Sequence, residues 1–353
     1  MSTHEVKVVK IEEIFPHNNA DSLSIIKVWD YQCVVKKDQF KMGDLICYLE
    51  PDYLVPLNRL EFSFLDDGKG KEKQRITTRK FRGEVSYGLV IKAPEGAIEG
   101  DNVMEQLGVE RYEPPMGGHN GSGPTGFLSG ICETGPEFSC PVYDLENFKK
   151  FRKLIPEKAK VIYSAKIHGT NSRYVWSSKD QKMFCGSRTT WKKQPGIIIK
   201  TVMVPDENGI EQSKDIVSPK SCWWECLYQN PWIEEWCKNN PDQVLYGEVY
   251  GPNIQGTRFH YGMKDGQYGF AVFDILRNGN WVDNEEVYFK TSGIKTVKVL
   301  YVGELDVELL KELAEQSESF NDCGHVREGV VVKTTGGNRI ALKWVSDQYY
   351  AIK

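Results

Sequence analysis

The sequence predicts an α+β protein in two parts: a small β-barrel, then a larger domain built on antiparallel sheets. Three observations carry this expectation. Short apolar or alternating runs follow one another between residues 5 and 110, with turn residues between them, which suits a small barrel or sandwich. Prolines and glycines then crowd together from Pro114 to Gly126, marking a linker or long surface loop. Beyond it, β-type runs dominate but are joined by two helical stretches. The length of 353 residues agrees with two domains at roughly 150 residues each.

In order along the chain, strands are expected at Val6 to Ile11, Ser24 to Val28, Tyr31 to Val35, Leu45 to Tyr48 and Tyr87 to Ile91, and a short helix at Asp101 to Leu107. These give a first domain over 1–113 and a linker over 114–140. The second domain, 141–353, opens with a basic helical stretch, Asn147 to Leu154. Its strands are expected at Val161 to Ala165, Ser172 to Trp176, Gln243 to Tyr250, Tyr268 to Leu276, Gly329 to Lys333 and Arg339 to Val345. Ser221 to Asn239, with four of the nine tryptophans, reads as helical on either side of Pro231, and Leu309, Leu310 and Leu313 mark an amphipathic helix over Asp306 to Gln316.

Composition narrows the function classes. No run of about 18 apolar residues is present, and the mixed-charge segment Met1 to Lys10 is no signal peptide. Nine cysteines without a CxxC pair read as free thiols of a reducing compartment, so a cytoplasmic or nuclear location is expected. Cys222, Cys226 and Cys237 are more simply buried thiols of an aromatic-rich helix than zinc ligands. A net charge of −4 gives no global basic field. Local clusters could still bind nucleic acid: Lys69 to Lys80 with Arg75, Arg79 and Arg82, and Lys149 to Lys160. Each is equally readable as a solvated face.

The chemistry concentrates in Lys166-Ile167-His168-Gly169-Thr170-Asn171, directly after the apolar run Val161 to Ala165. A lysine at a strand end, followed by a glycine-containing turn, can present its amine to a substrate. It becomes a nucleophile when neutral, and nearby cations are expected to lower its pKa. The glycine is expected to let the backbone approach a nucleotide closely. Alone, Lys-x-x-Gly is weak and has the plain reading of a surface lysine before a turn.

The longer run Lys-x-His-Gly-Thr-Asn resembles the nucleotidyl-lysine motif of ATP-dependent RNA ligases of the nucleotidyltransferase superfamily. Further stretches resemble the superfamily's other motifs, in their order: Gly186-Ser187-Arg188-Thr189, Leu245 to Gly251 around Glu248, Phe270 to Ile275, Glu328 to Lys333, and Ala341-Leu342-Lys343. The resemblance implies an ATP-grasp-like ligase nucleotidyltransferase domain with Lys166 as nucleophile. It implies ATP contacts from Ile167, Asn171, Arg188, Glu248, Phe273 (favoured over Phe270 as the adenine stack), Glu328 and Lys343. It implies Mg²⁺ or Mn²⁺ held by Glu328 and Glu248, whose oxygens suit a hard cation. Two departures stand out: Ala165 replaces a glutamate frequent in the family, and Lys343 is single where a Lys-x-Lys pair is usual, leaving Lys333 or Arg339 to compensate.

In the first domain, His17 to Leu23, Gly43-Asp44 and Arg82 to Leu89 resemble the OB-fold of the Deinococcus/Naegleria-type RNA ligase family, which precedes the ligase domain. OB-folds bind single strands through basic grooves and aromatic stacking; a ligand-free packing domain is the plainer alternative. The resemblance implies a monomeric ATP-dependent RNA ligase that joins 3′-OH and 5′-phosphate ends, at nicks in RNA-containing duplexes, through a lysyl-AMP and an adenylated strand. DNA ligases and capping enzymes usually carry Asp at the place of His168. A non-catalytic RNA-binding protein is expected to have lost Lys166 or Glu328, and both are present.

Overall fold

The computed structural model describes residues 3–112, 128–205, 207, 210–252, 254 and 259–352. They form two compact units. One comprises residues 3–112, 146–152 and 347–352; the other comprises 128–145 and 153–346. The sequence-based boundaries at 113 and 141 therefore differ from the observed division. The segment expected to open the second domain, helical at Phe148–Phe151, lies in the first unit.

Short antiparallel sheets build the first unit. Val8–Lys10, Leu45–Leu49 and Leu89–Lys92 form one; Glu13–Pro16, Leu23–Val28 and Tyr31–Lys36 form another. The alternation along Tyr31–Lys36 sends Tyr31 and Cys33 inward, against Ile26, Ile46 and Tyr48. Asp101 to Leu107 is a series of turns, not a helix; Asn102 spends its side chain accepting the Val6 and Met104 amides. Lys149 and Lys150, expected on a basic surface, turn inward. Lys149 pairs with Asp347 at 3.1 Å over the Tyr87 ring, and Lys150 pairs with Glu50 at 2.6 Å.

Two sheets organise the second unit. In one, Ala341–Val345, Gly329–Thr334, Lys160–Lys166 and Val299–Glu304 are antiparallel neighbours. The other has seven strands, with Lys182–Gly186, Thr170–Ser177, Val244–Tyr250 and Gly269–Arg277 at its centre. One face of this sheet (Tyr174, Leu245, Phe270, Ile275) is covered by helices Cys222–Gln229 and Pro231–Asn239. Ser221 caps the first through the Trp224 amide, and Pro231 starts the second, where its missing N–H costs nothing. The helix over Val307–Glu315 is capped by Asp306. The described part of the expected linker is no free tether: Cys132–Glu133 pairs with Trp191–Lys192, and Ser129 bridges Ser221; its remainder lies outside the described residues. The stretch before the tryptophan helices forms a hairpin of Ile198–Pro205 and Glu211–Val217.

Candidate active site

Antiparallel partners point their side chains to the same face of a sheet. Lys166 pairs with Gly329, Ser164 with Val331, and Val331 in turn with Lys343. Lys166 and Lys343 therefore project from one face, and Lys333, partner of Ile162, from the same face further along. In the seven-stranded sheet, Asn171 pairs with Glu248 and Arg173 with Tyr246, on the face opposite the tryptophan helices. A β-bulge beside Tyr246 leaves Phe273 out of the ladder, so Phe273 and Asp274, consecutive residues, both reach this second face.

Glu248 lies within electrostatic reach of three other expected site residues, Lys166, Glu328 and Arg188. The Lys166 ammonium donates to Glu328 Oε1 at 2.8 Å. Burial alone would lower the Lys166 pKa, but attraction to Glu328 and Glu248, with the hydrogen bond, outweighs it and raises the pKa. The expectation of a lowered pKa is thus reversed in this state: the nearest charges are carboxylates, not cations. Burial pushes the Glu248 carboxyl up to about 8; Lys166 opposes the shift, Glu328 adds to it and Arg188 opposes it. Arg188 is half exposed, with Asp144 3.9 Å from its guanidinium.

The other candidates are placed as follows. Asn171 shares the Glu248 face, and its Oδ1 is buried without a hydrogen-bond partner. Ile167 is buried. Phe273 is partly buried with Tyr143 4.5 Å from its ring, whereas Phe270 lies under the helices against Tyr174 and Trp232. Lys343 is partly buried on the Lys166 face. Lys333 and Arg339 do not stand in for a second motif lysine. Lys333 is fully buried and bound to Asp274 at 2.7 Å, and Arg339 reaches the same carboxylate at 2.6 Å, with Tyr143 also donating to it. Such pairing is what makes a buried lysine tolerable.

The glycine of the lysine motif has a structural role in the packing of its own unit. A Cβ on Gly169 would overlap the Val249 carbonyl oxygen and come 2.8 Å from Glu248 Cγ. Its lack of a side chain leaves room for strand packing under Glu248. His168 is buried against Phe259, ring centres 4.6 Å apart, and its amide donates to the Tyr261 hydroxyl at 2.7 Å. Sequence reasoning missed Asp274 and Tyr261. Asp274 could have been noticed as a charge inside an apolar strand; nothing local marks Tyr261.

The donor set fits a hard divalent cation. Glu328 and Glu248 offer carboxylate oxygens and Asn171 an orphaned amide oxygen. Among the described residues no group of three or more His, Cys, Asp or Glu could hold a metal alone. Mg²⁺-type ions commonly take one or two carboxylates and complete their shell with phosphate and water. The three cysteines of the tryptophan helices are buried free thiols. No helix among the described residues is long and apolar enough to cross a membrane.

Comparison with known proteins adds to this geometry. The RNA ligase family model matches residues 159–345, more than half of the chain, and an OB-fold domain model matches residues 5–93. Among curated proteins none matches. Solved structures of a Naegleria gruberi RNA ligase are similar over nearly the whole length. An apo variant has 23% identity and a TM-score of 0.74, covering 99% of this chain and 98% of that one. A variant with ATP and Mn has 22% identity and a TM-score of 0.74, covering 99% of each. The structure with PPi has 23% identity and a TM-score of 0.73, again covering 99% of each. The expected arrangement, an N-terminal OB-fold unit and a ligase unit of α+β class, is borne out.

Proposed function

The chain belongs to the RNA ligase family, and on that premise we propose that it seals nicks in RNA-containing duplexes in three steps driven by ATP. The Lys166 amine attacks the α-phosphate of ATP, forming a P–N bond and releasing pyrophosphate. AMP then passes to the 5′-phosphate of the RNA, and Lys166 leaves. Finally a 3′-hydroxyl attacks that phosphate, forming the phosphodiester and releasing AMP.

One observation carries this reading: Lys166 is hydrogen-bonded to Glu328 within the electrostatic reach of Glu248, and Arg188 acts on Glu248. A nucleophile, two oxygen donors and an anion-binding cation are the parts nucleotidyl transfer needs, since it depends on positioning and charge neutralisation. Arg188 and Lys343 are assigned to the phosphates, Phe273 to the base, and Ile167 and Asn171 to contacts beside the nucleophile. Glu328 and Glu248 are assigned to a Mg²⁺ or Mn²⁺ ion, which when bound would neutralise phosphate charge and the carboxylates that hold Lys166 protonated. The ATP, AMP and Mn of the Naegleria structures support ATP and a divalent metal for this chain. The OB-fold unit, 1–113 by sequence with the two later segments added, is assigned to the RNA substrate.

The test is incubation with α-labelled ATP, and separately α-labelled GTP, with Mg²⁺ or Mn²⁺, followed by denaturing electrophoresis and peptide mapping. Acid-labile AMP on the Lys166 peptide, without GMP, is expected. GMP labelling would move the chemistry to capping, and no label would remove catalysis. Nicked duplexes of defined RNA and DNA strands then read the substrate.

A further inference from the structure

We propose that Tyr261 is a positioning residue for the nucleophile, its hydroxyl fixing the turn directly behind Lys166. The inference rests on the reading of Lys166 as the adenylated residue. It concerns a side chain outside every motif of the sequence.

The hydroxyl accepts the His168 amide at 2.7 Å, two residues from Lys166. Tyr261 is completely buried, and its backbone sits at φ 49, a left-handed conformation that a bulky side chain rarely adopts. Such a conformation persists only when its surroundings over-determine it, and here they do. The ring meets His325 edge-on at 4.5 Å and Tyr250 at 5.4 Å. Asn321 donates to the Tyr261 carbonyl at 3.2 Å and to the Tyr250 hydroxyl at 3.5 Å. His325 is in turn held through Nδ1 beside the Val326 carbonyl and packs on Phe259, which also packs on His168. The hydroxyl is thus the tip of a packed aromatic cluster in contact with the motif turn. Glu328, the hydrogen-bond partner of Lys166, lies near enough to act electrostatically on the same hydroxyl.

A nucleophile must be held within about half an ångström of its working position, and a displacement of about 1 Å can cost a hundredfold in rate. A group that fixes the turn should therefore govern attack on ATP. It should matter far less to ATP affinity, or to the last step, in which Lys166 forms no bond.

The test compares Tyr261→Phe with the unaltered protein in two single-turnover reactions: AMP labelling across an ATP series, and sealing of a nicked duplex whose 5′-phosphate is already adenylated. The maximal labelling rate is expected to fall tenfold or more, with half-saturating ATP and the sealing rate each within about twofold. Asn321→Ala, which frees the Tyr261 carbonyl but keeps the hydroxyl, should give the same selective loss at smaller size. Unchanged labelling in Tyr261→Phe, or equal losses in both reactions in both variants, would overturn the proposal. Labelling of the unaltered protein that survives Lys166→Ala would instead overturn the premise about Lys166, and the proposal with it.

Discussion

Gly169 passes so close to Glu248 that a Cβ on the glycine would lie 2.8 Å from the glutamate Cγ. The strand carrying Glu248 and the turn behind Lys166 are therefore in contact through the one residue type that leaves room. Gly169→Ala is expected to push the turn away from Glu248, slowing lysine adenylation about a hundredfold. The overpacking should cost about 1–3 kcal/mol. Single-turnover labelling and denaturant unfolding read the two effects.

Lys166→Ala should abolish AMP labelling, because it removes the amine assigned to attack ATP. Glu328→Gln keeps the size of the side chain and removes its charge. It should slow labelling by about 10²–10³-fold, while the chain still folds. Labelling of Glu328→Gln at the unaltered rate would detach Glu328 from the reacting centre.

Among the described residues, Asp274 is the carboxylate that pairs with both Lys333 and Arg339. Removing it strands a fully buried ammonium, a loss of about 3–5 kcal/mol. Asp274→Ala should therefore unfold at markedly lower denaturant, and Asp274→Ala combined with Lys333→Met should recover much of that loss.

The two phenylalanines of one strand should separate by what they disturb. Phe270→Ala, emptying a site under the tryptophan helices, is expected to cost about 3–5 kcal/mol of stability. Phe273→Ala should raise half-saturating ATP several-fold with a smaller effect on unfolding. Titration of labelling against ATP distinguishes them.

The basic stretch 149–160 makes a sharper test of surface against interior. Lys149→Ala removes an ion pair and a cation held over an aromatic ring, and should cost about 1.5–3 kcal/mol. Lys158→Ala, on an exposed residue, should stay within about 0.5 kcal/mol.

The site residues were legible where a short string carries the chemistry: Lys166, Arg188, Glu248 and Glu328 are recognisable in order, and the structure brings them together. The strand at Tyr31–Lys36 and the break at Pro231 were legible for the same local reason. What failed was anything decided by a distant partner. Lys333 has the look of a phosphate ligand until Asp274, 59 residues away, is seen to bind it. The close packing of Gly169 against the Glu248 strand is likewise set by residues about 80 positions away. Tyr261 matters only through an amide 93 residues earlier, a relation no periodicity can announce. The helix at Phe148–Phe151 read correctly as a helix, but sequence adjacency suggested the wrong unit for it.

That misassignment has a bearing on how the protein is made. Phe148 is fully buried, and Tyr350 packs against Tyr87 in the first unit, yet both are translated long after residue 112. On the ribosome, the unit that starts first is completed only by its last piece, residues 347–352, which follows the whole of the other unit. A stalled nascent chain of 340 residues would lack both the strand Ala341–Val345 of the second unit and residues 347–352 of the first. Resistance of residues 3–112 to protease should mature only when residues 347–352 have emerged.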